Sequence, residues 1–344
     1  MTGQTVSRVE STEAGALILN DLGYLSARPP MIDLVKMKNF TQKLQWMSGG
    51  ASHERYGGFC AYIAGPASVE YTHLALQLWT IMGQHSDVPR MDQVVINVTA
   101  ALLYINKTQT SSGGFGTNTG SSPDVVSTYH ALWSLDALLK LKTDETWEKW
   151  LRNRTATVEW ILSCRVGDSF KLSPGSTITG TDPTAAAVLA LDILGELSSV
   201  TGLDGIKNWI LGRQVIEPTR GEFQGGFEEG YLTNDTNLVS TYYALNSLVA
   251  LEALSECNET AVARFIIDCQ AADGSWGSVP GLSVGTLPNV ALAVESLVIL
   301  SETGLLLEED PNNPTPPLLD WRVLVVAGIL IVALAAALVS MRMD

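Results

Sequence analysis

The run Gly113-Gly114-Phe115-Gly116 is followed by a polar loop with Pro123-Asp124. Ser127-Thr128-Tyr129-His130-Ala131-Leu132 then opens an apolar stretch reaching Leu141. A Gly-Gly pair permits φ > 0 and a close approach of backbones. The Phe behind it supplies a large apolar anchor. Ser127 or Asp124 is the expected helix N-cap, and Ala131, Leu132, Leu135, Leu138 and Leu139 fall at helical spacing. The unit reads as glycine turn, aromatic plug, loop and capped helix. It recurs at Tyr56-Gly57-Gly58-Phe59, in degraded form at Asp168-Ser169-Phe170, at Gly225-Gly226-Phe227 and at Asp273-Gly274-Ser275-Trp276-Gly277. The spacing of roughly 50 to 57 residues is that of a fixed-period repeat.

A second kind of helix lies between the units, over residues 31–47, 91–108, 147–164, 206–214 and 260–270. These are amphipathic, with charges such as Glu148, Lys149, Arg152 and Arg154. Helices after the glycine turns are rich in Ala and Leu on several sides. A helix apolar nearly all round belongs inside and a one-sided one outside. About six inner and five outer helices follow. The expected fold is all-α, a closed α/α toroid over residues 1–305, since an open solenoid needs polar capping repeats at its ends. Residues 9–23 read as the second half of a repeat, capped by Ser11-Thr12 and closed by Gly23; either the first repeat is abbreviated or the chain begins inside a longer ancestral sequence.

The chain of 344 residues carries a net charge of −15, which excludes nucleic acid as a partner because nothing supplies the basic footprint that phosphates require. Cys60, Cys164, Cys257 and Cys269 have no metal-finger spacing, and Cys164 and Cys269 occupy matching repeat positions. They are expected to be small buried hydrophobes. Met1 to Glu13 has no basic-then-apolar leader. Residues 306–320 form an acidic, proline-rich linker. Residues 321–341 contain the uncharged run Val323 to Ser340, long enough at roughly 27 Å to cross a bilayer as one helix. Trp321 and Arg322 mark one edge and Arg342 the other.

The units resemble the repeats of protein prenyltransferase β subunits and squalene–hopene-type terpenoid cyclases, the prenyltransferase/squalene oxidase repeat superfamily. The resemblance rests on Gly113-Gly114-Phe115-Gly116 … Pro123 … Ser127-Thr128-Tyr129-x-Ala131-Leu132 and on Phe265 to Gly277, and covers roughly residues 9 to 304. It implies the toroid fold. It also implies a catalytic zinc held by Asp, Cys and His, but this chain departs at those positions. The run Leu238-Val239-Ser240-Thr241-Tyr242-Tyr243 has Ser240 where the family has Asp and Tyr242 where it has Cys. The His position falls near Pro288-Asn289. Ser, Tyr and Asn are poor zinc ligands. No Lys or Arg stands at the head of an inner helix to hold a diphosphate. No metal and no cofactor are therefore expected.

The cyclase acid motif Asp-x-Asp-Asp-Thr-Ala is matched only by Asp182 and Thr184-Ala185 in Gly180-Thr181-Asp182-Pro183-Thr184-Ala185. Asp182 is either the one retained catalytic acid or a helix cap in front of Pro183. His73, Tyr129, His130, Tyr242 and Tyr243, near the first turns of inner helices, either bind a ligand at one mouth of the toroid or pack between helices. Six Asn-x-Thr triplets, at Asn39, Asn97, Asn106, Asn153, Asn234 and Asn258, fit the N-glycosylation acceptor, where about one is expected by composition. They favour a toroid on the outer side of the membrane, and the absent leader favours a cytosolic, tail-anchored one. Two functions stand at this point. One is a membrane-anchored binding toroid for a lipid, glycan or protein ligand. The other is a cyclase-like or transferase-like enzyme using Asp182.

Overall fold

The computed structural model describes residues 7–26, 32–85, 87–230, 235–272 and 274–307. In chain order its helices are α1 Val9–Asp21, α2 Leu34–Leu44, α3 Val69–Gly83, α4 Val98–Thr108, α5 Val125–Leu141, α6 Trp147–Trp150, α7 Arg154–Ser163, α8 Thr181–Ile193, α9 Leu203–Leu211, α10 Leu238–Ala250, α11 Glu259–Asp268 and α12 Leu287–Ile299. A two-residue antiparallel hairpin, Arg165–Val166 with Ser169–Phe170, interrupts them.

Helices α1, α3, α5, α8, α10 and α12 pack side by side in that order, and α12 packs back on α1. The inner ring therefore closes with six helices, as the repeat count predicts. Helices α2, α4, α7, α9 and α11 make the outer layer. The expected spans of the outer helices were too long in two places. Asn97 caps α4, so that helix begins only at Val98, after a separate short 3-10 turn at Met91–Gln93. Asn153 caps α7 and breaks the 147–164 span into α6 and α7. At the first inner helix Ser11 and Thr12 are not caps, because α1 begins at Val9; Thr12 Oγ1 donates to the Arg8 carbonyl instead.

The repeat is held by one recurring set of contacts. Phe59, Phe115, Phe170 and Phe227 are fully buried. Each donates its backbone N–H to a threonine hydroxyl on the following inner helix: Thr72 at 3.1 Å, and Thr128, Thr184 and Thr241 at 3.0 Å. Gly57, Gly113 and Gly225 have φ of 91°, 105° and 99°. A Cβ on any of them would overlap the carbonyl oxygen of Ala100, Ala156 or Ala261, in the first turn of the next outer helix. Glycine is required there twice over, for φ and for space.

A glutamine buckles the turn to that helix. Gln214 Nε2 donates to the carbonyls of Gly225 (3.2 Å) and Asn258 (3.0 Å), while its Oε1 accepts from Asn258 N–H at 2.9 Å. Gln45 does the same between Gly57 and Asn97. The degraded repeat has no glycine pair. Its hairpin turns through Gly167, and the Asp168 carboxylate lies against Gly205 in the first turn of α9, where a helix start favours an anion.

The chain divides into two compact units, Met1–Thr303 and Gly304–Asp344. The second is described only through the 3-10 turn Thr303–Leu307. Most of the linker 306–320 and the whole apolar segment 321–341 lie outside the described residues, and among the described residues no helix is long and apolar enough to cross a membrane. All four cysteines are buried free thiols, and burial pushes their pKa up, to about 12 for Cys164 and Cys269.

The glycine requirement gives a direct test. Gly113→Ala is expected to destabilise the fold by at least about 3 kcal/mol, combining strain and overpacking. Gly120→Ala, with φ of 86° but nothing within 4 Å, should cost only about 1–2 kcal/mol. Denaturant midpoints of the two variants check this, and equal losses would refute the close-packed turn.

Candidate functional site

The inner ring encloses a cavity of about 270 Å³, at the small end of ligand pockets, to which all six inner helices contribute. Lining residues of α1, α3, α10 and α12 come from their first turns downward, and exposed Glu70 and Pro288 mark the mouth. The body of the wall is apolar, with Leu17, Leu74, Leu189 and Leu292 among its members.

Five of the six site residues expected from the sequence meet here: His73, Tyr129, His130, Tyr242 and Tyr243. The rings of His73 and His130 are 4.7 Å apart between centroids, and Trp133 closes on His73 at 4.3 Å. Tyr129 meets His130 edge to face at 5.4 Å. The His130 Nε2 and Tyr243 hydroxyl lie 3.4 Å apart. Both histidines are lowered in pKa by burial, His130 to about 4, so both are neutral at pH 7.

Asp182 does not line the cavity. It sits on the second residue of α8 rather than in front of the helix, because the chain enters through Gly180 and Thr181 is already helical. Its carboxylate makes no cap bond. Oδ1 accepts from Ser240 Oγ at 2.7 Å, and burial raises its pKa while that hydroxyl opposes the rise. The reading of Asp182 as a cap is thus corrected.

The residues missed in the sequence are acidic. Glu10, Glu13, Glu70 and Glu295 line the cavity, and no Lys or Arg among the described residues does. Arg8, however, immediately precedes inner helix α1 and pairs with Glu10 at 2.7 Å, which corrects the expectation that no cation stands at the head of an inner helix. Burial pushes Glu13 up to about 8, with the charge of Glu295 adding to the shift. Glu295 rises to about 7, again by burial, partly offset by a hydrogen bond from the Tyr242 hydroxyl. The missed signal is an acid inside an apolar inner helix: Glu13 beside Ala14 and Ala16, and Glu295 within Ala291 to Leu300.

The donor set does not fit zinc. Ser240 spends its hydroxyl on Asp182 and Tyr242 bonds Glu295. The Asn289 position serves the first turn of α12, where its N–H donates to Thr286 Oγ1. Among the described residues no three His, Cys, Asp or Glu side chains converge as a metal would need.

Residues 17–228 and 186–304 match the model of the prenyltransferase alpha-alpha toroid domain. The chain belongs to the prenyltransferase toroid family. A curated relative, the geranylgeranyl transferase type-2 subunit beta of Candida albicans, is 35% identical over 101 residues; the match spans 29% of this chain and 27% of that protein. Among solved structures, the Candida albicans protein geranylgeranyltransferase-I complexed with GGPP superposes with a TM-score of 0.67 at 16% identity, covering 85% of each chain. A type II terpene cyclase from Scytonema in complex with merosterolic acid A gives 0.52 at 14% identity over 86% of this chain and 87% of its own. At such identities the two structures share the fold, and function rests on the site of this prenyltransferase toroid.

The sequons receive a partly structural account. Asn97, Asn153 and Asn258 are exposed N-caps of α4, α7 and α11, their Oδ1 atoms accepting from Ala100, Ala156 and Ala261 at 2.9, 3.0 and 3.1 Å. Repetition of one helix cap thus generates three of the triplets. Asn106 is half-buried and spends its amide nitrogen on the Trp150 carbonyl at 2.7 Å, and Asn39 is half-buried on α2. Asn234 lies outside the described residues.

The acids and histidines give opposite pH slopes. Glu13 is raised above its unfolded value, so its destabilising charge is absent below about pH 4.3 and fully present above about pH 8. His130 is lowered, so its contribution is present above about pH 6.5 and lost as pH falls toward 4. Between pH 6.5 and 8 only the acid slope operates, so the thermal midpoint should fall there, whereas between about pH 4.3 and 6.5 the acid and histidine slopes oppose each other. Glu13→Gln is expected to flatten the alkaline slope and raise the midpoint at pH 8.5. Calorimetry across that range decides it; an unchanged slope in the variant would remove Glu13 as its source.

Proposed function

We propose that this prenyltransferase toroid is a binding protein that takes an apolar ligand without an anionic head group into its central cavity. The observation that carries this is the lining: four glutamates, two neutral histidines and no lysine or arginine. A diphosphate placed there would be desolvated among carboxylates with no cation in the lining, Arg8 at the head of α1 being already paired with Glu10, which is very costly. The related solved structure holds GGPP. Here the apolar walls suit an isoprenoid or other lipid-like body, while the transfer chemistry lacks both its metal ligands and its diphosphate cradle.

The segment 321–341 supplies a membrane anchor in this reading, with the linker 306–320 holding the toroid off the bilayer. The toroid faces outward, consistent with exposed sequon asparagines at three outer-helix starts. Mass spectrometry of the membrane-extracted protein is expected to find glycan at Asn97, Asn153 and Asn258 and none at Asn106. Unmodified asparagines throughout would place the toroid on the cytosolic side.

A second reading is acid-initiated chemistry on an alkene. It is favoured by the buried carboxyl of Asp182, held toward its protonated form beside Ser240. That carboxyl lies outside the cavity lining, so the binding reading is preferred. Calorimetric titration with farnesol and farnesyl diphosphate tests it. Farnesol is expected to bind at least tenfold more tightly, and a preference for the diphosphate would overturn the proposal.

A further inference from the structure

The cavity also says what head group its ligand carries. We propose that the occupant of the inner ring is an organic ammonium ion on an apolar body, its cationic nitrogen held between Glu13 of α1 and Glu295 of α12 and its hydrocarbon part against the leucine wall. This rests on the binding reading above and narrows it.

The two carboxylates come from the helices that close the ring; Glu13 senses the charge of Glu295, and Glu295 that of Asp21 on α1. Like-charged carboxyls brought together in an apolar chamber are costly; protonation removes that cost, and so does a cation lying between them. Independent of the acids, His73 and His130 are 5% and 8% exposed, yet the Nδ1 atom of each has no hydrogen-bond partner although both side chains line the cavity. Buried polar atoms are ordinarily paired, so two orphans facing one chamber call for a polar group from outside the chain. A neutral imidazole whose Nε2–H is used elsewhere presents a lone pair at Nδ1. His130 has the Tyr243 hydroxyl at Nε2 to take that hydrogen. An alkylammonium has up to three N–H donors, matching two carboxylates and an imidazole.

The aromatic rings fit the same ion. Tyr129, Tyr242 and Tyr243 line the chamber, Tyr242 and Tyr243 meeting at 72° and 5.9 Å. A tyrosine face presented to the chamber attracts an ammonium ion through its quadrupole. An anionic ligand would meet the same rings and acids unfavourably, and a neutral alcohol would relieve neither carboxylate.

Binding of the cation requires Glu13 and Glu295 to be ionised, so protons leave as it enters. The other titratable and charged groups around this pair are Asp21 and Glu10 on α1, the latter ion-paired to Arg8, Glu70 and His73 from α3, His130 and Tyr129 from α5, and Tyr242 and Tyr243 from α10. The tyrosines are held in their neutral form by burial, and the histidines are neutral already. Helix α8 adds Leu189 to the wall, with Asp182 beyond it. Between pH 6 and 8 the pH dependence therefore belongs to the glutamates.

The test uses three C15 probes with one hydrocarbon body: farnesylamine, farnesol and farnesyl diphosphate, titrated calorimetrically into the purified protein. At pH 8 the amine is expected to bind at least tenfold more tightly than the alcohol. That ratio should fall about tenfold or more at pH 6, where one proton must be displaced per carboxyl. An alkylamine stays charged at both pH values, so the change reports the protein. In Glu13→Gln and Glu295→Gln the ratio should approach one, with a single cooperative unfolding transition showing that each variant is folded. Equal binding of amine and alcohol at pH 8 overturns the ammonium assignment and leaves the apolar cavity standing. A ratio unchanged in both variants also overturns it. Preference for the diphosphate, or binding of none of the three, overturns the cavity reading and the ammonium assignment together.

Discussion

The architecture depends on a backbone-to-backbone contact: a glycine in left-handed conformation pressed on the first turn of the next outer helix. Gly57, Gly113 and Gly225 each leave no room for a Cβ against the opposing carbonyl. The side chains then lock what the glycine allows. Gln45 and Gln214 satisfy the turn carbonyl and both backbone groups of the helix-capping asparagine in one amide. The buried phenylalanine N–H, which has no strand or helix partner, is taken by a threonine hydroxyl. The glycine contact recurs three times and the Phe–Thr bond four times, and the packing of α12 on α1 closes the ring. Ring closure follows from local chemistry repeated faithfully.

A scaffold held at its turns leaves the ring interior free of structural duty. Polar groups there need not serve packing, which makes the four glutamates informative. Glu13 is 5% exposed and has no basic partner in the cavity. Glu10 at the head of α1 pairs with Arg8, as outer-layer acids pair with lysines: Glu145 with Lys142 and Lys149, and Glu256 with Lys207. The family scaffold has been kept while the chamber's charge differs from what a diphosphate needs. Ser240 and Tyr242, at the positions of family zinc ligands, now serve as hydrogen-bond partners of Asp182 and Glu295.

The fold was readable in the sequence because every repeat restates the same local rules, so errors in one unit were corrected by the others. What failed was local. A continuous helix over 147–164 overlooked Asn153, whose side chain caps a new helix more favourably than it sits inside an old one. The aromatic and histidine members of the cavity were visible because they recur near helix starts. The glutamates were not, because charge along a helix ordinarily marks a solvated face. Only Glu13 and Glu295, each isolated among alanines, leucines and valines, carried the opposite signal. Asp182 looked like a cap because Pro183 commonly occupies a first helical position, and the structure begins the helix two residues earlier.

The packing of α12 on α1 has a consequence for how the ring is made. Every other inner contact joins helices about one repeat apart, whereas this one spans almost the whole toroid, a chain separation about five times longer. The added loop-closure entropy is modest, roughly 1–1.5 kcal/mol. The kinetic effect is larger in kind, since such a contact waits until all repeats between have stacked. During synthesis an open arc of repeats would exist with both end faces bare until α12 emerges. The acids of the cavity, Glu13 and Glu295, lie on the two faces that meet last. Final assembly of the toroid therefore coincides with the burial of Glu13 and Glu295, two carboxyls whose pKa burial raises.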